Sequence, residues 1–272
     1  VGARPPAPPE PAHVLAELRA AEEAADGAME LLPGVDDPAM DAWEVPVPES
    51  VRRILRETGG LRTLKASGRT DEEFTVGHGA NDDPGGPFYT RCGDPGTFRI
   101  LHTNGVAETY YVDVDPAAGE WNGVLSLWDG LDARFEAPSL GHWLLLLAGA
   151  VRSAARAVRD GGFDHFGSAF RALLWGDFTA VAGTAGDPEH DWSAWRNPPE
   201  AAVIDATTAR ASTDPVLAQA GALLPDSATL ADLRGATRRT YVPVIRHPAM
   251  DLDAAFHRFH GGGVLAAVPW DE

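Results

Sequence analysis

The sequence predicts an α+β protein, with an antiparallel sheet packed against helices and a small C-terminal α/β appendage. Three observations predict it. Apolar and polar residues alternate with period two along 98–102, 110–114 and 121–127, as they do in strands. Asn104-Gly105 separates the first two runs, and both residues tolerate the positive φ of a type I′ hairpin turn. After Pro138-Ser139 the spacing becomes helical, through Leu140, Trp143, Leu144, Leu147, Val151 and Ala154.

At 272 residues the chain is long for one domain and short for three. The expected division is a disordered Pro-rich N-terminus over 1–11, a main domain over 12–160 and a C-terminal extension over 161–272. Within the main domain, Val14, Leu15 and Leu18 predict a helix over 12–25. An acidic loop over 27–43 follows, whose Leu31-Leu32 pair can tuck into the core. A second helix is expected over 48–58. It turns Val51, Ile54, Leu55 and Thr58 inward and Arg52, Arg53 and Arg56 outward. Pro48 suits its first turn, and Gly59-Gly60 can supply a left-handed stop. Short strands are expected over 63–69 and 74–77, and Gly-rich loops over 77–86 and 92–96.

In the meander, Phe98, Ile100 and His102 share one side of the first strand. Tyr110, Val112 and Val114 share one face of the second, and Tyr111 and Asp113 the other. Trp121, Gly123, Leu125 and Leu127 continue the period in the third, and a short fourth strand follows Asp129-Gly130. Ser139 is placed to cap the long helix, because its hydroxyl can accept from the free N–H groups of the first turn. Leu145 and Leu146 widen the apolar stripe, which predicts burial on two sides. That helix should run to Arg159 and stop at Gly161-Gly162. Beyond it, helices are expected over 163–175, 214–224 and 252–259, a loop with Trp192 and Trp195 over 183–200, and strands over 240–246 and 264–268.

Lys+Arg 22 against Asp+Glu 40 leaves a net charge of −18. Nucleic acid and anionic membranes are therefore poor partners, and a basic protein is a good one. Cys92 is the single cysteine, which excludes an intrachain disulfide and a Cys-rich metal site. With no basic-then-apolar leader read at the N-terminus, the expected location is cytoplasmic. The apolar run at 144–147 ends well before the ~20 residues that span a bilayer.

Few residues carry chemistry. Asp113-Val114-Asp115 has the spacing of an acidic pair that grips a divalent cation. The favoured reading is a strand end followed by an Asp-Pro turn, since no Gly-rich nucleotide loop accompanies it. His257 and His260 lie three apart on the expected helix, near Asp251 and Asp253. A metal site is conceivable there, but a third ligand and a general base are not evident. Ser139 lacks a G-x-S-x-G elbow. Cys92 has a basic neighbour in Arg91, but lone cysteines are usually inert. Trp121, Trp128, Trp192 and Trp195 are candidate interface anchors. Asp113, Asp115, Glu120, Asp129, Asp132 and Glu136 crowd around the same turns and could form an acidic face.

Three segments occur in the order found in the SUKH superfamily: VPVPESVRRILRETGGLR, YYVDVDPAAGEWNGVLSLWD and EAPSLGHWLLLLAG. On these the chain resembles that superfamily over roughly 43–159. The resemblance implies an α+β fold and, in bacteria, an immunity protein that binds and neutralises a polymorphic toxin, often a nuclease. It implies no catalysis. The expected function is thus a non-catalytic protein-binding module whose partner is a basic, nuclease-like toxin domain, with no cofactor and no metal. Its expected partner-binding residues are Asp113, Asp115, Glu120, Trp121, Trp128, Asp129 and Asp132. A regulatory adaptor or scaffold is the alternative, and a metal-dependent enzyme a further one.

Overall fold

The computed structural model describes residues 6–43, 45–76, 88–89, 97–103, 108–115, 118–128, 132–175, 198–243, 254–260 and 262–269. Its elements begin with α1 (Pro11–Ala25), β1 (Met29–Leu31), α2 (Asp37–Asp41), α3 (Glu49–Leu55), β2 (Gly60–Leu64), β3 (Thr70–Thr75) and β4 (Phe88–Tyr89). The meander is β5 (Thr97–Thr103), β6 (Glu108–Asp115), β7 (Glu120–Trp128) and β8 (Asp132–Ala137), followed by α4 (Leu140–Arg159) and α5 (Phe166–Trp175). The remainder is β9 (Val203–Asp205), α6 (Ala206–Arg210), α7 (Pro215–Leu223), β10 (Thr229–Asp232), β11 (Thr240–Val242), β12 (Ala254–Phe259) and β13 (Val264–Pro269).

These elements form the expected α+β architecture, arranged as helices, sheet, sheet and helices. The central sheet has the order β11-β8-β7-β6-β5 and is antiparallel throughout. The second sheet, β4-β12-β13-β10-β9, is antiparallel except where β4 joins β12. A small sheet, β1-β2-β3, flanks the helical side. Period two gives each face of the central sheet its own core. Tyr110, Val112 and Val114 pack under α1, α4 and α5, while Tyr111 joins Leu125 and Phe135 against Leu233, Leu265 and Ala267 of the second sheet. Beyond that sheet, Phe259, Val264 and Ala266 pack on Ala206, Ala209 and Ala220 of α6 and α7. Two elements from beyond residue 160 belong to the first two layers. α5 buries Phe170 and Leu173 in the helical core, and β11 pairs with β8 as an edge of the central sheet.

α4 holds the layers together. Ser139 caps it, its Oγ accepting from the His142 N–H at 3.3 Å. Its expected stripe is buried, and Leu145 and Leu146, half-exposed, pack at the margin of the same core. The helix ends as a Schellman motif. Gly161 at φ +76° donates to the Val158 carbonyl, and Gly162 donates to that of Ala157. No helix among the described residues is long and apolar enough to cross a membrane.

Several local expectations are corrected. The acidic loop over 27–43 contains β1 and α2, with Leu32 buried and Leu31 packed against the core. α3 is shorter than 48–58, and Pro48 precedes it as the cap residue instead of entering its first turn. Gly60 does not stop that helix. It opens β2 at φ +137°, where an added Cβ would lie 2.0 Å from the Phe74 carbonyl oxygen. The strands expected over 63–69 and 74–77 are displaced to β2 and β3, joined around Gly68. The strand expected over 240–246 is described only as β11.

The helix expected over 252–259 is β12, fully paired with β13 from Ala254↔Pro269 to Phe259↔Val264. Two histidines three apart were too short a pattern to fix the period, and sheet pairing decided it. Strict alternation also fails in the meander. One extra residue sits in β5 between Ile100 and His102, one in β7 between Trp121 and Val124, and one in β8 between Phe135 and Ala137. Such bulges re-aim the side chains on either side. Trp121 therefore lies with Val124 on the helical side, whereas Leu125 faces the second sheet. The Asn104-Gly105 turn, the loops over 77–86 and 92–96 and the loop over 183–197 lie outside the described residues.

Candidate cleft between the two sheets

A cleft of about 940 Å³ opens where the bulged start of β7 faces the β12–β13 turn. Asn122 and Gly123, the bulge itself, form part of its wall. Glycine is required at 123, because an added Cβ would meet the Phe135 ring at 2.6 Å and the Ala137 carbonyl at 3.1 Å. Leu125, Phe135 and Leu233 supply apolar lining, and Pro6–Pro8 of the N-terminal segment run along one side. Pro9, next in that segment, packs against Gly141 of α4.

Asp113 lines the cleft and is only 1% exposed. It stands on the β6 face that looks toward the second sheet. Arg258, equally buried, reaches it from β12 and donates from Nη1 to Oδ1. Oδ2 has no hydrogen-bond partner among the described residues. Gly262 lies directly over this oxygen, and a Cβ added there would fall 2.7 Å from Oδ2. The turn that presents Gly262 is tight, with His260 at φ +51°, Gly262 at φ +74° and the Gly263 N–H donating to the His260 carbonyl at 3.0 Å.

The rest of the rim is charged. Glu120 is exposed and has no ion-pair partner among the described residues. Arg234 contributes a guanidinium that is already engaged, donating to both oxygens of Asp232 at 2.9 and 2.6 Å and to Asp214 Oδ1 at 3.0 Å. Those bonds hold Asp214 below the usual carboxylate range. Burial pushes Asp232 upward, yet the Arg234 bonds outweigh it and leave that carboxyl lowered too. The guanidinium itself is held more firmly protonated by the same partners.

Three of the expected partner-binding residues, Asp113, Glu120 and Trp121, line this one cleft. Trp121 is largely a core residue, 8% exposed, stacked on Trp43 at 6.4 Å with its Nε1 donating to the Pro46 carbonyl at 2.8 Å. Asp115 closes the turn after β6, its Oδ1 accepting from the Ala118 N–H at 3.0 Å. Trp128 and Asp132 pair at the opposite end of the β7–β8 hairpin, roughly 25 Å along the strand from Glu120. Asp129, Cys92, Trp192, Trp195, Asp251 and Asp253 lie outside the described residues. Glu136, expected on the acidic rim, is instead buried.

The alternative chemistries find little support. Asp113 is committed to Arg258 and Asp115 to its turn, so the pair does not converge. No group of three metal-ligating side chains occurs among the described residues. His257 is buried on the face of β12 that it shares with Phe259, whereas His260 is an exposed turn residue at the cleft. Ser139 Oγ lies 2.8 Å from His142 Nδ1, and burial lowers the affinity of that imidazole for a proton. The pair sits at a helix cap, and among the described residues no third group orients the ring as nucleophilic catalysis needs. Sequence reading missed Arg258, Arg234 and Gly262. The first lies 145 residues from Asp113, and no local spacing links them.

No family model, no curated protein and no solved structure matches this chain.

Proposed function

We propose that the protein is a non-catalytic binding module that holds a basic protein partner at the cleft between its two sheets. The observation that carries the reading is the convergence of Asp113, Glu120 and Trp121 on one cleft in a chain of net charge −18. Complementary charge speeds encounter and selects among partners, while the apolar lining gives an inserted segment surface to bury. The segments resembling the SUKH superfamily supply the partner class: a basic, nuclease-like toxin domain that the protein neutralises by covering its active site.

The test is co-expression with the product of an adjacent toxin-like gene, followed by titration of the purified pair. The expected result is protection of the cells and a complex at or below micromolar concentration that weakens as salt is raised. Failure to bind or protect at micromolar concentration overturns the reading. A stable complex without protection favours a regulatory adaptor.

A further inference from the structure

We infer that the cleft exposes a strand-docking edge, where an extended basic segment of the partner adds to β7 at Glu120–Asn122 in the place that β8 leaves empty. The inference rests on the protein-binding reading and names the contact it would use. β8 pairs with β7 from Asp132↔Trp128 only as far as Ala137↔Val124. Past that point Pro138 has no N–H to continue the ladder, and Ser139 turns away to cap α4. β7 reaches further, and there Glu120 and Trp121 pair with Asp115 and Val114 of β6 on the opposite side alone. Glu120–Asn122 thus presents about 10 Å of strand edge with no strand beside it among the described residues.

The edge is reachable. Glu120 is exposed, Asn122 and Gly123 are half-buried, and all three line the cleft together with Pro138 and Ser139. Pro6–Pro8, which run along the same cleft, cannot form a ladder there, because of those three residues only Ala7 has an N–H to give. The position of the edge selects its occupant. An edge set in the wall of a cleft excludes a second whole sheet and admits one inserted segment. Main-chain bonds then supply affinity, and alternate side chains supply specificity. Charge makes that segment basic, since Glu120 has no counter-charge among the described residues and the chain carries −18.

The probe is the peptide acetyl-Arg-Val-Thr-Val-Arg-amide, titrated into the full chain while amide hydrogen exchange at Glu120, Trp121 and Asn122 is followed by NMR. Two versions with the same side chains are the comparison arms, one N-methylated at both valines and one at the threonine. In a docked strand only alternate N–H groups face the neighbouring strand. Saturable binding is expected, with severalfold slower exchange at one or more of the three amides. One methylated version should bind roughly tenfold more weakly, and the other as tightly as the parent peptide. Glu120→Arg, at an exposed position that leaves the fold intact, should weaken the parent peptide severalfold. No binding, equal affinity of the two methylated versions, or unchanged affinity in Glu120→Arg overturns the inference. So does slowed exchange at exposed Val203, on the β9 edge of the second sheet, in place of 120–122. A chain that takes the peptide at this edge but no basic toxin domain retains the edge and loses the partner reading. A chain that holds the domain with unchanged exchange at 120–122 retains the partner reading and loses the edge.

Discussion

Each face of the central sheet carries a buried carboxylate–guanidinium pair, and the two are built differently. On the helical side, Glu136 takes two donors on one oxygen. Oε1 accepts from Ser126 Oγ at 2.5 Å and from Arg239 Nη2 at 3.4 Å, and Oε2 lies 2.9 Å from Arg239 Nε. Arg239 also donates to the Leu174 carbonyl at the end of α5. On the other side, Asp113 accepts from Arg258 at Oδ1, and its Oδ2 lies beneath Gly262 at the border of a cleft. Glu136 and Arg239 tie together β7, β8, α5 and the start of β11. Asp113 and Arg258 tie β6 to β12 at the border of a cleft. Each pair keeps one carboxylate oxygen outside any hydrogen bond among the described residues, so what separates them is the number of elements each joins and the cleft beside one of them.

The sharpest way to break that comparison is to make both carboxylates amides. In Glu136→Gln the new NH2 group must face a guanidinium N–H or the Ser126 hydroxyl, so the buried cation loses its partner. The expected cost is about 3–5 kcal/mol, read as a fall in the denaturant midpoint with unchanged slope. Asp113→Asn likewise leaves the buried Arg258 cation without a counter-charge and should cost about 3 kcal/mol, the lower end of that range, because it disturbs no second side-chain donor. A larger loss in Asp113→Asn than in Glu136→Gln would reverse the comparison.

The wall of the cleft gives a smaller effect. Gly123→Ala drives a Cβ against the Phe135 ring and should cost about 1–3 kcal/mol by overpacking, measured in the same denaturant series. Trp121→Phe removes the bond to the Pro46 carbonyl and should cost about 1 kcal/mol while leaving the stack on Trp43 in place. The smallest effect concerns pH. Asp205 and Asp214 cap α6 and α7. Bonds from the Thr208 N–H and hydroxyl lower Asp205, and the Arg234 bond lowers Asp214. A carboxyl lowered in the folded state adds stability above its unfolded pKa and loses it as pH falls through the folded one. Thermal melts from about pH 5 down to about pH 2 should therefore fall less steeply in Asp205→Asn than in the native chain.

The two faces also differ in how far the sequence reveals them. Tyr110, Val112 and Val114, the α4 stripe and the Ser139 cap are local patterns with periods of 2 or 3.6, and each can be read from a dozen neighbouring residues. The cleft depends on what local patterns cannot carry. The bulge at Asn122-Gly123 reverses the facing of Trp121 relative to Leu125, so a strict alternation misplaces it. Arg258 belongs to a strand that the spacing of His257 and His260 disguised as a helix. Asp113 was legible as a residue that could bind something. Its ion pair and the glycine above it exist only once β12 and β13 have docked.

The central claim is that the cleft between the two sheets holds a basic protein partner. The most direct measurement is the affinity of the adjacent gene's toxin-like product for the native chain and for Glu120→Arg, at an exposed position on the rim of the cleft. The account predicts a complex at or below micromolar concentration that Glu120→Arg weakens at least tenfold. An affinity that Glu120→Arg leaves unchanged would contradict it.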